Sequence, residues 1–284
     1  MKHLLFITLQ ACTLFAISQP YVDPIQVRYT HAFRSGGAGR GTPFDHFWIG
    51  SDVPVKLKEK TYLLFSPYFE SWQIDSASKD NIVPAVKSIV LPVGLLLPLN
   101  NKKWSLAITQ IIRTNGEELF GKNSFQAGGA SFFSYEKSPG KKFRFGFYYN
   151  SDFFGYFFMP LLGADWRIDD KNYLFGLLPG RFTWEHKLNS SIYAGMTFRA
   201  ITNSYRLTNQ QYLRIDDNQL SAYFDLYPAK SICFTLEPGY GISRKLRNGS
   251  GKRNYINTEK WGDSFFIKVS EAYRLHFENM KQKN

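Results

Sequence analysis

The sequence predicts an all-β fold, an antiparallel transmembrane β-barrel of about 12–14 strands, and two observations support this prediction. Apolar residues occupy every second position in stretch after stretch, most clearly from Met159 to Leu207, which is the periodicity of strands with one apolar and one polar face. Aromatic residues make up 17% of the chain and are spread over nearly every predicted strand, although the mean hydropathy is -0.29. Aromatic girdles at the two interfaces of a membrane barrel would account for that spread.

The first 18 residues predict a secretory signal peptide. Lys2 supplies the positive end, Leu4–Ile17 the apolar segment, and Ala16-Ile17-Ser18 a small-x-small cleavage site. A competing interpretation is a lipobox at residues 9–12, with Cys12 acylated after cleavage. With the signal peptide removed, a single barrel domain is predicted to span residues 19–284.

No segment of the predicted barrel domain could cross a membrane as a helix. The longest apolar run, Ile89–Leu99, is interrupted by Pro92 and Gly94 and is shorter than the roughly 20 residues required. Because a bilayer admits only helices and closed barrels, an exported chain built from strands is either soluble outside the cytoplasm or a barrel in the outer membrane. The alternation favours the outer membrane.

In the first half of the chain each predicted strand is bounded by a turn or a polar connection. The predicted strands are Ile25–Phe33, Phe44–Lys58, Thr61–Ile74, Ala85–Leu99, Lys103–Arg113, Ser124–Glu136 and Lys142–Asn150. The glycine-rich segment Ser35–Gly41 lacks the Lys-Ser/Thr of a phosphate-binding loop, so it is predicted to be a surface loop. Pro54 and Pro67 are expected to mark bulges or strand ends.

In the second half the predicted strands are Leu161–Ile168, Tyr173–Lys187, Ser191–Ala200, Gln219–Tyr227, Ser231–Arg244 and Ser264–Phe277. If Pro179-Gly180 makes a tight hairpin inside Tyr173–Lys187, the count is 14 strands, which we favour slightly. If that segment is one bulged strand, the count falls to 12 provided that another element is not a true barrel strand. The aromatic segment Asp152–Phe158 is predicted either at a membrane interface or as a plug in the lumen. Leu246–Lys260 is polar and basic, and it is predicted to be a long exposed loop.

The predicted turns fall into two classes that alternate along the chain. Short ones lie near residues 59, 101, 139, 170, 189 and 229, and longer ones near residues 38, 79, 118, 154, 209 and 253. This is the asymmetry expected between the periplasmic and the external rims of an outer-membrane barrel.

Charged residues on the polar faces are candidates for the lumen. The candidates are Arg144, Asp165, Arg167, Arg181, Glu185, Lys187, Arg199, Asp225, Glu237, Lys268 and Arg274. In a dry interior such charges must be paired, so we expect a polar lumen that leans basic, as does the whole chain with its net charge of +12. If the barrel conducts, mild anion selectivity is expected, mainly from Arg167, Arg181 and Arg199.

The sequence contains no pattern typical of a catalytic, metal or cofactor site, so none of these is predicted. His46, within FDHFW, is interpreted as an aromatic-belt residue rather than a base. The predicted function is a passive channel or a structural or binding barrel without enzymatic activity. Two alternatives remain: an outer-membrane enzyme that modifies lipid or lipopolysaccharide, and a periplasmic lipid-binding β protein.

The predicted partners follow from the compartment. They are outer-membrane lipid and lipopolysaccharide, together with the barrel-insertion machinery, which would contact the C-terminal strand ending in the aromatic Phe277. No nucleic-acid partner is expected, and the barrel is predicted to be a monomer.

The central stretch also carries a family resemblance. PLLGADWRIDDKNYLFGLLPG, followed by YAGMTF and SYRL, is similar to sequences of an outer-membrane barrel family common in Bacteroidetes-type bacteria, the domain-of-unknown-function family numbered 6268. The resemblance implies a β-barrel and supplies no catalytic residues.

Overall fold

The computed structural model describes residues 20–34, 42–75, 85–100, 103–260 and 262–276. The predicted signal peptide, the loop at residues 35–41 and the end of the chain from residue 277 lie outside this range. The regular secondary structure of the described residues is β-strand only. None of the described residues forms a helix long and apolar enough to cross a membrane. The strand segments are β1 (Tyr21–Ala32), β2 (Phe44–Gly50), β3 (Val53–Lys58), β4 (Thr61–Phe65), β5 (Tyr68–Ile74), β6 (Val86–Pro98), β7 (Trp104–Gly116), β8 (Phe125–Ser138), β9 (Lys141–Asp152), β10 (Gly155–Arg167), β11 (Asn172–Leu178), β12 (Arg181–Lys187), β13 (Ile192–Arg206), β14 (Tyr212–Ala229), β15 (Ile232–Gly251), β16 (Asn254–Lys260) and β17 (Phe265–His276).

These segments build a closed antiparallel barrel whose wall has 14 strands, which we call staves. Three staves are interrupted and each consists of two segments. β4 and β5 both pair with β6, and β16 and β17 both pair with β15. β2 and β3 pair with β5 and β4 respectively, so they too form one stave. The barrel closes where β1 pairs with β17. The higher of the two predicted counts is therefore confirmed, because Pro179-Gly180 does join β11 and β12 as a hairpin. Pro67 lies at the break between β4 and β5.

The outer surface is apolar and the inner surface polar, as the alternation predicts. On β9, Phe143, Phe145 and Phe147 are exposed on the outside, whereas Lys142 and Arg144 are buried on the inside. Other exposed outward residues of the same kind are Ile25, Tyr29, Leu91, Ile108, Ile112, Trp184, Met196, Phe224, Leu236, Phe265, Ile267 and Val269. An apolar belt of this extent is stable only in contact with lipid, so the barrel lies in an outer membrane.

The predicted exposed loop at Leu246–Lys260 is wrong, because most of it is strand. β15 continues to Gly251, and β16 pairs back along it from Lys245↔Lys260 to Gly251↔Asn254. Ser243 has a φ of 54°, and the pairing with β14 shifts register at Asp216/Asn218. This bulge moves the inward face from odd to even residues, which ends the simple alternation. The hairpin is polar because it projects beyond the lipid belt.

The long-loop half of the lumen is filled by the chain itself. Residues 200–217, at the end of β13 and the start of β14, leave the wall and cross the lumen; we call them the plug hairpin. Arg206 forms a parallel bridge with Gly116 of β7, and the Glu117 N–H donates to the Arg206 carbonyl at 2.9 Å. The buried apolar cluster around the plug hairpin includes Phe44, Trp72, Val86, Tyr205, Leu213, Ile215 and Phe266.

The aromatic segment at residues 152–158 is not the plug. It ends β9, makes a two-residue turn and begins β10, with Tyr156 and Phe158 exposed on the outer surface. The plug lies instead at residues 200–217, almost all of which were predicted to belong to the long connection near residue 209, between the predicted strands Ser191–Ala200 and Gln219–Tyr227. The side chains that receive it come from β5, β7 and β8 across the lumen, which no local sequence pattern identifies.

Candidate functional site: the lumen cavity, the wall window and the arginine cluster

Beside the plug hairpin the lumen holds a cavity of about 600 Å³. Apolar side chains from opposite walls form most of its surface, among them Val90, Pro92, Ile111, Phe157, Met159, Leu161, Phe175 and Leu177. Its volume lies within the range of roughly 300–1,000 Å³ typical of small-molecule sites. The lumen is therefore neither an open aqueous tube nor fully packed.

The barrel wall is interrupted next to this cavity. β10 pairs with β9 along its whole length but with β11 only from Leu162 onwards, so residues 155–161 have no stave on their other side. β13 pairs with β12 only up to Arg199, beyond which it turns inward as the plug hairpin. The turn Pro179-Gly180 ends the short β11–β12 hairpin, and both carbonyls accept the Ala200 N–H, at 3.2 and 2.9 Å.

We call the resulting gap the wall window. The tip of the β15–β16 hairpin bounds it towards the long-loop rim, because the Arg253 N–H donates to the Phe154 carbonyl at 2.9 Å. Arg214 also lies over the Phe154 ring, 4.0 Å from its centroid. The unpaired edge of β10 is roughly 20 Å long at about 3.3 Å per residue. Gly176, Gly180 and Ala200 contribute both to the window edge and to the cavity surface.

The β10 edge of the window is apolar on both faces. Tyr156, Phe158 and Leu162 point outward and are each about two-thirds exposed, at 66%, 64% and 66%. Phe157 and Met159 point inward and line the cavity. A molecule that moves from lipid into the cavity past this edge meets mainly apolar atoms, although Lys252 lies over the Tyr156 ring with its Nζ 4.9 Å from the centroid.

Three arginines, Arg28, Arg181 and Arg199, line both this cavity and the smaller charged space beside it. We call them the arginine cluster. Arg181 and Arg199 are register partners on β12 and β13, so two like charges face each other directly across the strands. Arg28, on β1, is only 8% exposed and lies over Trp48, 4.4 Å from the ring centroid.

No carboxylate among the described residues lies within 4.0 Å of these three guanidinium groups. Arg28 donates to the Gln26 amide oxygen at 2.9 Å, and Arg181 reaches the Tyr21 hydroxyl at 3.5 Å. The Nε–H groups of Arg181 and Arg199 are buried without a protein acceptor in the described part of the chain. The cluster therefore makes no direct ion pair among the described residues, although Asp225 and Glu237 line the same smaller space.

Two other charged residues next to the cavity, Glu70 and Arg113, contact the plug hairpin. Glu70 accepts hydrogen bonds from Tyr205 at 2.9 Å and Asn203 at 3.1 Å, and it pairs with His46 at 3.0 Å. Arg113 donates to Asn203 at 3.0 Å and to Asp152 at 2.9 Å. These contacts anchor the hairpin to the wall.

His46 differs from its predicted place. It is buried, points into the lumen and stacks on Trp72 with 3.7 Å between ring centroids. The prediction of an aromatic-belt position is therefore wrong, because on β2 the outward positions are Asp45, Phe47 and Ile49 and the inward ones alternate with them.

On the other side of the arginine cluster lies what we call the paired network: Asp23, Asp225, Glu237, Lys268 and Arg274. Arg274 lies between two carboxylates, 2.7 Å from Asp23 and 2.5 Å from Asp225. Lys268 contacts Glu237 at 2.7 Å, and Ser221 donates to the same Glu237 oxygen at 2.6 Å. All five are buried and paired.

The remaining sequence-predicted residues lie in several places. Arg144 pairs with Asp165 at 3.2 Å inside the barrel, and Asp165 also accepts a short hydrogen bond from the Tyr173 hydroxyl. Glu185 is buried and accepts from Tyr223 at 2.9 Å. Lys187 is half-buried, near the Tyr193 ring.

Arg167 stands apart from the other two arginines of the predicted selectivity set. It lies at the short-turn rim, where its side chain is 44% exposed and contacts Asp170 at 3.0 Å. The structure therefore brings Arg181 and Arg199 together and keeps Arg167 away from them.

Sequence reasoning missed Arg28, Glu70 and Arg113. Each occupies an inward position on a strand that alternates clearly, as in Gln26, Arg28 and Thr30 on β1. Applying the alternation to the first strands would have found them. Their partners across the lumen could not have been found in this way.

No protein-family model matches the chain, and no curated protein matches it in sequence. Its structure is similar to that of an outer-membrane channel from Pseudomonas putida F1, with a TM-score of 0.50 and 8% identity over 90% of this chain and 97% of that one. It is also similar to the deltaS2 mutant of the TodX monoaromatic hydrocarbon channel, with a TM-score of 0.44 and 10% identity over 90% of each chain. LpxR from Salmonella typhimurium has a TM-score of 0.37 and 11% identity over 87% of this chain and 99% of that one.

At such low identities these likenesses concern the fold alone, and the fold is that of outer-membrane β-barrels. Together with the apolar outer belt, it identifies the chain as an outer-membrane β-barrel.

Proposed function

We propose that the protein is a passive channel without enzymatic activity, in which an apolar solute passes between the outer membrane and the lumen through the wall window. The supporting observation is the position of the apolar cavity, which lies directly inside the window and beside the plug hairpin. The plug hairpin blocks entry along the barrel axis from the long-loop rim. Because the plug hairpin fills that end of the lumen, the solute would enter the cavity through the wall window.

A substitution at the window tests this route. Ala200 lies at the window edge beside the Pro179-Gly180 turn, so Ala200→Trp places a large side chain in the opening. Ala194→Trp is the matched control, since Ala194 lies on the same strand where β12 still covers it. Cells whose outer membranes contain each variant are given the uncharged apolar dye N-phenylnaphthylamine, and the rise of its fluorescence is timed.

We expect the wild type and Ala194→Trp to accelerate dye entry and Ala200→Trp to return it to the rate of cells without the protein. Liposomes containing the wild type should show little swelling in small sugars, because the lumen is not an open pore. Equal dye entry with both tryptophan variants, or swelling at the rate of a general porin, would contradict the proposal.

The enzymatic alternative rests on one arrangement, the His46–Glu70 pair beside the cavity. Glu70 already anchors the plug hairpin, because Tyr205 and Asn203 occupy its other oxygen, and His46 is linked to the hairpin through Glu70. Lipid A and phospholipid turnover should therefore be equal, and at background, for the wild type and for His46→Ala.

The partners expected from the sequence belong to the same proposal. We propose a monomer in contact with outer-membrane lipid and lipopolysaccharide, inserted through its C-terminal strand. Membership of the domain-of-unknown-function family numbered 6268 is proposed on the resemblance of residues 159–207.

A further inference from the structure

The arginine cluster lies where an apolar cavity meets the polar part of the lumen. Two of its members are direct register partners, and the third is almost fully buried beside Trp48. Like charges opposite each other in a sheet are destabilising, and buried charges are normally paired. Asp225 and Glu237 line the smaller charged space beside the cavity, but within the part of the chain that the structure describes no carboxylate forms an ion pair with these three arginines.

The nearest carboxylates are engaged elsewhere. Glu237 contacts Lys268 at 2.7 Å and Ser221 at 2.6 Å. Asp225 contacts Arg274 at 2.5 Å and Thr235 at 2.6 Å. Arg113, the fourth arginine at the cavity, is neutralised by Asp152. Among the described arginines that line the cavity, Arg28, Arg181 and Arg199 are therefore the ones without an ion pair.

The geometry points to a binding site for a single-chain amphiphile with an anionic head: we propose that the head binds Arg181 and Arg199 beside Arg28, while the tail lies in the apolar cavity. This rests on the proposed function and names its class of solute. A guanidinium group presents a planar fork of donors that matches a carboxylate. The Nε–H groups of Arg181 and Arg199, which have no protein acceptor, would supply donors of this kind.

The entry route suits the same ligand. An apolar tail leaving lipid passes Tyr156 and Phe158 on the outside of β10 and reaches Phe157 and Met159 on the inside. Lipid tails are about as apolar as the cavity wall, so transfer of the tail from the bilayer to the cavity contributes little binding free energy. Selection between ligands therefore depends on the head group and the arginine cluster.

Four probes separate the head from the tail: dodecanoate, dodecanol, dodecyltrimethylammonium and acetate. Binding of each is measured by titration calorimetry on the whole folded protein in a non-ionic detergent. We expect dodecanoate to bind about 10- to 100-fold more tightly than dodecanol, because hydrogen bonds to charged groups are the strong ones. Dodecyltrimethylammonium and acetate should bind more weakly than dodecanol.

The variant Arg181→Gln with Arg199→Gln should lose this preference, so that dodecanoate binds no better than dodecanol. Arg167→Gln is the matched control, since it removes the same charge from the exposed rim. It should bind all four probes as the wild type does. Heat-modifiable migration on gels confirms that each variant is folded, and replacement of both arginines by lysine should restore part of the preference.

Three results would overturn the inference: equal binding of dodecanoate and dodecanol by the wild type, unchanged dodecanoate binding in the double glutamine variant, or acetate binding as tight as dodecanoate. Displacement of dodecanoate by an equal concentration of phosphatidylglycerol would assign the site to a two-chain lipid instead. None of these affects the window test, because that test uses an uncharged dye. Loss of window-dependent dye entry would reject the proposed channel separately.

Discussion

The paired network and the arginine cluster lie side by side on the inner surface of one barrel, yet they treat charge in opposite ways. In the paired network Arg274 lies between two carboxylates, at 2.7 and 2.5 Å. In the arginine cluster Arg181 faces Arg199, and none of the described carboxylates forms an ion pair with either. The first arrangement joins strands β1, β14 and β17, whereas the second lies beside the cavity. Charge that stabilises a barrel is paired, and charge left unpaired next to a cavity is available for a ligand.

Removing the central cation of the paired network should have the largest effect. Arg274→Met leaves Asp23 and Asp225 buried and unpaired, and breaking a buried pair in this way costs about 3–5 kcal/mol. The free energy of unfolding, from urea titrations in detergent micelles, should fall by that amount. A decrease in the free energy of unfolding of less than about 1 kcal/mol would mean that water hydrates the paired network.

The paired network also contains the pair Lys268–Glu237, and here the double substitution should cost less stability than the two single substitutions together. Lys268→Met or Glu237→Gln alone should each lower the free energy of unfolding by about 3 kcal/mol, since either change leaves one buried group without its partner. The double variant should recover most of that loss. Additive losses in the same urea titrations would show that the two residues do not act as a pair.

In the arginine cluster we expect a substitution to raise the free energy of unfolding rather than lower it. Arg199→Gln removes one of two like charges that face each other, so the free energy of unfolding should rise by about 0.5–1 kcal/mol. The titration is run without any amphiphile other than the non-ionic detergent. A destabilisation as large as that of Arg274→Met would show that Arg199 is structural, and the distinction between the two regions would fail.

The smallest effect is expected at the rim. Arg167 and Asp170 form an exposed pair, with side-chain exposures of 44% and 97%, and such pairs contribute about 0–1 kcal/mol. Arg167→Gln should therefore change the free energy of unfolding by about 0.5 kcal/mol or less. A larger change would place Arg167 in the interior, where the sequence analysis had expected it.

Alternation along a strand determines which face a residue occupies, and so Arg181, Arg199, Lys268 and Arg274 could be placed inside the barrel from the sequence. It does not determine what lies opposite. Whether an inward arginine meets an acid depends on residues far apart in the chain, as with Arg274 and Asp23, which are 251 positions apart. Paired and unpaired arginines therefore look alike in the sequence.

The uncertainty between 12 and 14 strands also has a physical origin. Near the short turns the wall has 14 staves, but β11 and β12 end at the Pro179-Gly180 turn, and beyond it the wall continues without them. The short hairpin was visible in the sequence as a turn in the middle of one strand-length segment. That its shortness opens the wall was not visible, because the inward turn of β13 is determined by contacts with β5, β7 and β8.

The wall window also distinguishes the two sides of the bilayer. It occupies the half of the barrel next to the long loops, and the long loops of outer-membrane barrels face the outside of the cell. Towards the short turns β11 and β12 fill the place between β10 and β13, so the wall window does not extend into that half of the barrel. A molecule dissolved in the outer leaflet therefore meets the wall window, whereas the same molecule in the inner leaflet meets paired strands at this position around the wall. On the proposed route the solute comes from the outer leaflet, and the concentration difference between that leaflet and the lumen sets the direction of net movement.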